Sequence, residues 1–489
     1  MTEGDQDPMQ MLIGDERVAG DRGTYPIVNP ATEEIVGEAP EASPDQVCAA
    51  AEAAAAAFPA WSRTTPEHRA ELLDRLGDLV RDHLDELVPL VQAETGSTLR
   101  IARTMQVPTT VERFRRYARG ALEPTVDPLA PVPFPSTALA PAALLGAVAV
   151  RQPVGVVACI TPYNFPLVNM AGKVGPALAM GNTVVVKPAP QDPLAVLRFG
   201  DLVVEAGIPP GVVNIVSGSG AEAGEALVGS GDVDMVSFTG STAVGQRIGQ
   251  VAGHDMKRLL MELGGKGAGL VFDDADLKTA IGGLASVWAF HSGQICTAPT
   301  RVIAQRGIYD QLVAGLTQAA GRLTVGDPID PRTVVGPVVS AAQRDRIEGY
   351  IQQGAEEGGS VVAGGERPAI ERGFYVAPTL IVDAKPDMSV VRDEIFGPVV
   401  VVLPFDDEDE GIALANDTPY GLNDYVFTGD ATRGMRVARQ LRSGSVAINT
   451  AQQHPEAPFG GFKLSGVGRD RGSYGLLAYS EIQSIVWPA

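Results

Sequence analysis

The chain has 489 residues, enough to build two or more domains around sizeable cores. Hydrophobic residues make up 45% and charged residues 20%, the balance expected of an ordinary globular protein. With 38 basic against 59 acidic side chains the net charge is −21, which repels phosphate backbones and anionic lipid and argues against nucleic acid or a membrane surface as partner.

The N-terminal stretch MTEGDQDPMQ is acidic and lacks the basic-then-apolar order of a signal peptide, so a cytoplasmic protein is expected. Ser43-Pro44-Asp45-Gln46 has the form of a capping box with proline at the first helical position, and the alanine-rich run to Phe58 continues it. A second helix is expected to start at Thr65-Pro66 and run toward Gly96, with Leu72, Leu73, Leu76, Leu79 and Val80 on one face and a break at Pro89. The stretch 124–151 carries Pro124, Pro128, Pro131, Pro133, Pro135 and Pro141, a density that disfavours a central strand; an arm toward another subunit and a plain surface excursion are equally open. Its apolar part, 138–150, is too short to cross a bilayer.

After Gln152 short β-branched runs alternate with helical segments. VGVVACI (154–160), TVVVK (183–187), VVNIV (212–216) and VDMVSF (233–238) are each followed by a helix, the pattern of βαβ units whose parallel sheet is covered on both faces. A second, less regular alternation runs from about 266 to 460, so two α/β domains are expected. DDEDE at 406–410 reads as a solvated turn or helix start, and EEGG at 356–359 as a loop.

Cys48, Cys159 and Cys296 are odd in number and widely separated, a poor disulfide framework. The five histidines show no metal-ligand spacing, so no metal site is expected. Cys296, in SGQICTAPTR, is by itself better explained by a small core residue than by a nucleophile. Gly218, Gly220 and Gly224 follow a strand in a GxGxxxG spacing, and FTGS (238–241) makes a second strand-to-helix turn; either could bring backbone N–H groups to a pyrophosphate, and either could be a structural turn. Glu262 in MELGGKG, Asn164 in TPYNFP and Glu394 in EIFGPV are alone no more than turn or surface residues.

Together and in this order the motifs TPYNFP (161–166), GPALAMGNTVVVKP (175–188), SFTGS (237–241), ELGGK (262–266), GQIC (293–296), EIFGPV (394–399), NDTPYGL (416–422) and PFGGFKLSG (458–466) resemble the aldehyde dehydrogenase superfamily over nearly the whole chain. The resemblance implies a Rossmann-like cofactor domain (1–123 and 152–261), a second α/β catalytic domain (262–463) and oligomerisation elements (124–151 and 464–489), in a homodimer or a dimer of dimers. It also implies oxidation of an aldehyde to the acid, with NAD or NADP as hydride acceptor. Cys296 matches the nucleophile, Asn164 the oxyanion donor and Glu262 the base that activates water against the thioester, with Lys173 and Asp470 as polar partners of that base. Asp470 departs from the longer glutamate usual there. On the cofactor side the matching positions are Thr161, Pro162, Lys187, Gly220, Gly224, Phe238, Gly240, Ser241, Leu263, Glu394 and Phe396.

Two further departures stand out. Tyr163 replaces a tryptophan before Asn164, and Pro190 replaces a glutamate, three residues after Lys187, that often accepts the ribose hydroxyls of NAD. Pro190 can neither accept those bonds nor repel a 2′-phosphate, so NADP should be tolerated. A coenzyme A-acylating enzyme is the alternative within the family, against which Glu262 speaks. A thiol hydrolase would need a partner for Cys296 that neither His291 nor any visible triad supplies, and a silent binding protein would not need all these positions. His291 and Thr297 flank the cysteine without an assigned role.

Overall fold

The computed structural model describes residues 9–488, so the acidic N-terminal stretch read above lies for the most part outside the described residues. Five parallel strands form the heart of the first sheet, in spatial order Arg258–Glu262, Met235–Thr239, Val156–Ile160, Thr183–Lys187, Val213–Ile215. The chain begins at the central strand Val156–Ile160, winds outward through Thr183–Lys187 and Val213–Ile215, then returns to the other side for Met235–Thr239 and Arg258–Glu262. This is the doubly wound arrangement, and it opens a crevice at the carboxyl ends of the two strands where the order reverses. Those ends are Ile160 and Thr239. Val156, Val157, Ala158, Val184, Val185 and Val186 are all within 2% of full burial, which explains why these strands carry no polar alternation: helices cover both faces.

The helix Pro44–Trp61 opens with the capping box read from the sequence, Ser43 Oγ accepting from Gln46 N and Gln46 reaching back to Ser43 N. The next helix stops at Asp82, and a separate one spans Leu84–Thr95 with Pro89 inside it. The expected break at Pro89 is therefore displaced to His83. Pro89 and Asp85, whose carbonyl loses its partner to the proline, both lie on the exposed face, where water satisfies the freed oxygen.

A second sheet holds six parallel strands in the order Thr379–Val382, Val399–Phe405, Arg301–Gln305, Ala268–Val271, Asn423–Phe427, Ser445–Ile448, with Ser360–Ala363 antiparallel at one edge. The acidic run 406–410 caps a helix: Asp407 accepts from Glu410 N at the start of Glu408–Asn416. The two sheets are joined by 263–267, which passes directly beneath the cysteine turn. A Cβ on Gly265 would lie 2.4 Å from the Cys296 carbonyl oxygen, so only glycine allows this approach.

The proline-rich stretch does form a strand, Val126–Phe134, at the edge of a three-stranded antiparallel sheet with Ala143–Pro153 in the centre and Ser480–Pro488 on the far side. An edge is where prolines, lacking an N–H, are tolerated.

Candidate active site

The switch-point crevice continues across the gap between the two sheets as one cleft of about 1140 Å³. Its walls bring together Thr161, Pro162, Asn164, Lys187, Phe238, Gly240, Ser241, Glu262, Leu263, Cys296, Glu394 and Phe396, as well as Tyr163, Pro190, Thr297 and Asp470. Lys173, Gly220, Gly224 and His291 are not on its walls.

Cys296 is delivered by an unusual turn. After the helix Leu277–Ala289 the chain takes three successive left-handed residues, His291, Ser292 and Gly293, at φ of 50°, 57° and 71°. Two of these are not glycine, a conformation that costs energy and persists only where the surroundings enforce it. Here Ser292 Oγ donates to the Gly336 carbonyl at 2.7 Å and Gln294 Oε1 accepts from Val339 N at 2.9 Å. The thiol is half-buried. Enclosure by the cleft, then the nearby carboxylates of Glu394 and Glu262, push it up to about 12, against the pull of Arg471.

Asn164 leaves the strand Val156–Ile160 on the loop before the helix Pro166–Ala179 and is 5% exposed. Its Nδ2 donates to the Gln294 carbonyl at 2.8 Å, which fixes the amide beside the cysteine turn and uses only one of its two N–H bonds. Glu262 ends its strand with both carboxyl oxygens buried and without a hydrogen-bond partner. Burial, followed by the charge of Asp470, raises its pKa well above the ordinary carboxylate range, against Lys173, Arg471 and Arg469. Gly460, at φ 152°, presses close to that carboxyl: an added Cβ would meet Oε1 at 2.8 Å.

Lys173 sits behind Glu262 rather than in the cleft. It is 1% exposed, and its Nζ donates to Ser237 Oγ at 3.1 Å. Burial lowers its pKa, and Asp470, Cys159 and Glu262 hold it up. His291 is turned away: its Nδ1 lies 3.5 Å from Ser97 Oγ, and burial drives it down to about 4, so it is no general base for Cys296.

At the other end of the cleft, Lys187 closes its strand with Nζ donating to the Pro188 and Gly218 carbonyls at 3.2 and 3.4 Å. Burial brings it down to about 8 against Glu41 and Asp192. Of the two glycine turns, FTGS is the one in the cleft: Ser241 caps the helix Thr242–His254, whose first N–H groups open at the switch point. The other turn is occupied from inside the protein. Glu41 accepts from Ser219 N at 2.9 Å, Gly220 is exposed off the cleft, and Gly224 lies behind Lys187, where its Cβ would come 3.9 Å from Cδ and Cε. Glu394 accepts from Gly265 N at 2.9 Å, and burial raises it to about 7. Phe396, at φ 59°, meets Tyr163 edge-to-face at 5.9 Å.

Arg113 and Arg471 also line the cleft, and sequence reasoning missed both. The only available signal was the basic residue directly after Asp470 in GRDRG.

A half-buried thiol at a sheet-to-sheet junction, an amide donor beside it and an unbonded carboxyl opposite a switch-point crevice define a nucleotide-dependent enzyme working through a covalent intermediate. The family model described as "Aldehyde dehydrogenase family" matches residues 18–485. An aldehyde dehydrogenase of Emericella nidulans is 39% identical over 98% of this chain and 95% of its own length. A betaine aldehyde dehydrogenase of Cereibacter sphaeroides is 40% identical over 94% and 93%. The solved NAD+ complex of an aldehyde dehydrogenase from Bacillus cereus superposes with a TM-score of 0.92 at 40% identity, covering 99% of this chain and 97% of that one. The chain belongs to the aldehyde dehydrogenase family, whose members oxidise aldehydes with NAD or NADP as hydride acceptor.

Proposed function

We propose that this chain, an oxidoreductase of that family, carries an aldehyde to the carboxylic acid through a hemithioacetal and then a thioester on Cys296, with water as the final acceptor. NAD or NADP fits the cleft wall built from Thr161, Pro162, Lys187, Phe238, Gly240, Ser241, Leu263, Glu394 and Phe396, where the Thr161 hydroxyl is buried without a partner. When bound, the dinucleotide supplies the acceptor for the hydride that leaves the hemithioacetal carbon. Lys187 and Glu394 would hold its two ribose ends.

The protein's own groups do the rest. Cys296 Sγ attacks the carbonyl carbon, and the free N–H of Asn164 and the Cys296 backbone N–H stabilise the oxyanion that forms. Glu262 takes a proton from water, the hydroxide equivalent adds to the thioester, and collapse expels the acid and the thiol. Lys173 and Asp470 set the field in which Glu262 titrates. The observation that carries this reading is the convergence of Asn164, Glu262 and Cys296, from three separate elements, on one cleft in which both Glu262 oxygens are unbonded. With neither oxygen committed to a neighbour, both are free to accept from water. The same observation disfavours acyl transfer to coenzyme A.

The test is reduced-cofactor absorbance over a panel of aldehydes without coenzyme A, with NAD and NADP in parallel. Reduction with release of the acid is expected. Turnover only when coenzyme A is added, or none with any aldehyde, overturns the reading. Pro190 lies on the cleft wall near Lys187, and both dinucleotides should be used. Pro190→Glu should shift the NAD over NADP ratio of kcat/KM by about 10-fold or more toward NAD, since a carboxylate set against a 2′-phosphate costs several kcal/mol.

Residues 1–123 and 152–261 serve as the cofactor-binding domain and 262–463 as the catalytic domain, with 124–151 and 464–489 as oligomerisation elements. The last assignment is supported by apolar side chains left exposed on the three-stranded sheet, among them Val126, Leu129, Val132, Phe134, Ile482 and Val486. A homodimer or dimer of dimers follows from covering them. Three unpaired cysteines, Cys48, Cys159 and Cys296, favour a reducing cytoplasmic setting. No helix among the described residues is long and apolar enough to cross a membrane.

A further inference from the structure

Arg471 occupies a costly position. Its backbone lies at φ 69°, and its guanidinium stacks 4.2 Å above the Phe459 ring on the wall of the cleft that holds Cys296. Nη1 donates to Gln453 Oε1 at 2.6 Å, Nε is buried without a partner, and no ion pair joins the side chain to an acidic residue among the described residues. Arg471 is half-buried, and an Nε held out of water with no acceptor, in a guanidinium with no ion pair, is costly unless something anionic arrives.

Its surroundings make the same demand. Arg113, on the same wall, is also without an ion pair: its Nη1 donates to the Val168 carbonyl at 2.9 Å. The nearby Arg116 differs, being neutralised by Glu456 at 2.7 Å and Glu123 at 2.9 Å. Lys173 adds a third basic group from behind, its charge opposed by burial and supported by Asp470 and Glu262. Against these three stand Asp470, whose Oδ1 already accepts the Arg471 backbone N–H at 2.7 Å, Glu262, which burial biases toward its neutral form, and Glu112, which pairs with Arg115 at 3.5 Å. In a chain with a net charge of −21, this end of the cleft is locally positive. Phe165, Val168, Phe290 and Ile295 give the same cleft an apolar lining.

We infer that the aldehyde this chain oxidises carries an anionic group, a carboxylate in the simplest case, and that the open donors of Arg471 receive it while Cys296 attacks the carbonyl. The inference rests on the aldehyde-oxidising reading of the same cleft. The planar fork of arginine matches a carboxylate in two parallel hydrogen bonds, which a lysine cannot reproduce. Arg113 contributes charge but has one arm committed to Val168, so Arg471 is the specificity-determining contact.

The experiment compares two matched pairs of substrates, succinic semialdehyde with its methyl ester and 4-carboxybenzaldehyde with its methyl ester, on the wild type, Arg471→Leu and Arg471→Lys. In at least one pair the wild type should favour the acid, and Arg471→Leu should collapse the acid-over-ester ratio of kcat/KM by at least about 30-fold, mostly through KM. Arg471→Lys should retain part of the preference. An ester preference in both pairs, or a ratio that Arg471→Leu leaves unchanged, overturns the inference. Calorimetric titration with succinate and terephthalate, and with their monomethyl esters, reads the site without turnover: wild type should bind the dicarboxylates more tightly, and Arg471→Leu should lose the difference. Binding that depends on Arg471 in a chain that oxidises no aldehyde would sink the functional reading and keep the anion site. Aldehyde oxidation without charge preference would sink the anion site alone.

Discussion

At the scale of single residues the cleft sets two carboxyl groups and a thiol against one another. Cys296 is pushed up to about 12 and Glu262 well above its usual range, both chiefly by burial. In the proposed mechanism each works in its deprotonated form, so kcat/KM should rise with pH through the neutral range. A rate–pH profile checks the sign, and a profile falling over that range would contradict it. If Glu262 is the proposed proton acceptor for water, Glu262→Gln removes that acceptor and leaves the steps before it. The variant should release about one equivalent of reduced cofactor in a burst and then turn over about 10² to 10⁴-fold more slowly, as rapid-mixing absorbance would show. Asn164→Ala should lower kcat by about 10² to 10³-fold with little change in the pH profile, the signature of a lost oxyanion donor and not of a lost base.

Elements matter through what they hold in place. The helix Leu194–Glu205, which follows the segment carrying Lys187 and Pro190, has no capping side chain of its own, because its N-cap is Pro193. Its first N–H groups are taken instead by Glu94, a fully buried carboxyl that ends another helix and accepts from Leu194 N at 2.7 Å and Ala195 N at 3.0 Å. Glu94→Ala strands both donors in the core and should cost about 2 kcal/mol, measurable as a lower midpoint in urea unfolding. Looser binding of the dinucleotide should accompany it. The local signals of other elements were readable in the sequence: the Ser43 box and the Ser241 cap depend on contacts three residues apart, and the apolar strands need no partner to be recognised. Pro89 was not readable, because its tolerance depends on which face of the helix meets water. The Glu94 cap was equally hidden, since the acceptor and the N–H groups it serves belong to different helices.

For the whole molecule, the three-stranded sheet stands apart from both α/β cores with its apolar side chains uncovered. Ile482 and Val486 are 62% and 58% exposed, and in a monomer they would be a liability for aggregation. Val486→Arg places a charge on that surface, and sedimentation velocity should show a smaller species than the wild type at the same concentration. An unchanged assembly would move the interface elsewhere.

The sequence by itself determined what is local or serial. It marked where helices begin, where strands are buried on both faces, and which eight motifs in order carry the resemblance to the family that the comparisons show. Only the tertiary structure decided which glycine turn faces the cleft, because Glu41, far away in the chain, fills the one at 218–220. It alone showed Lys173 bonded to Ser237 behind Glu262, and Arg471 and Arg113 brought together with the thiol from opposite ends of the chain. The reason is physical: propensity and periodicity act over a few residues, whereas burial, charge and unmet hydrogen bonds are properties of a place in space that distant segments make together.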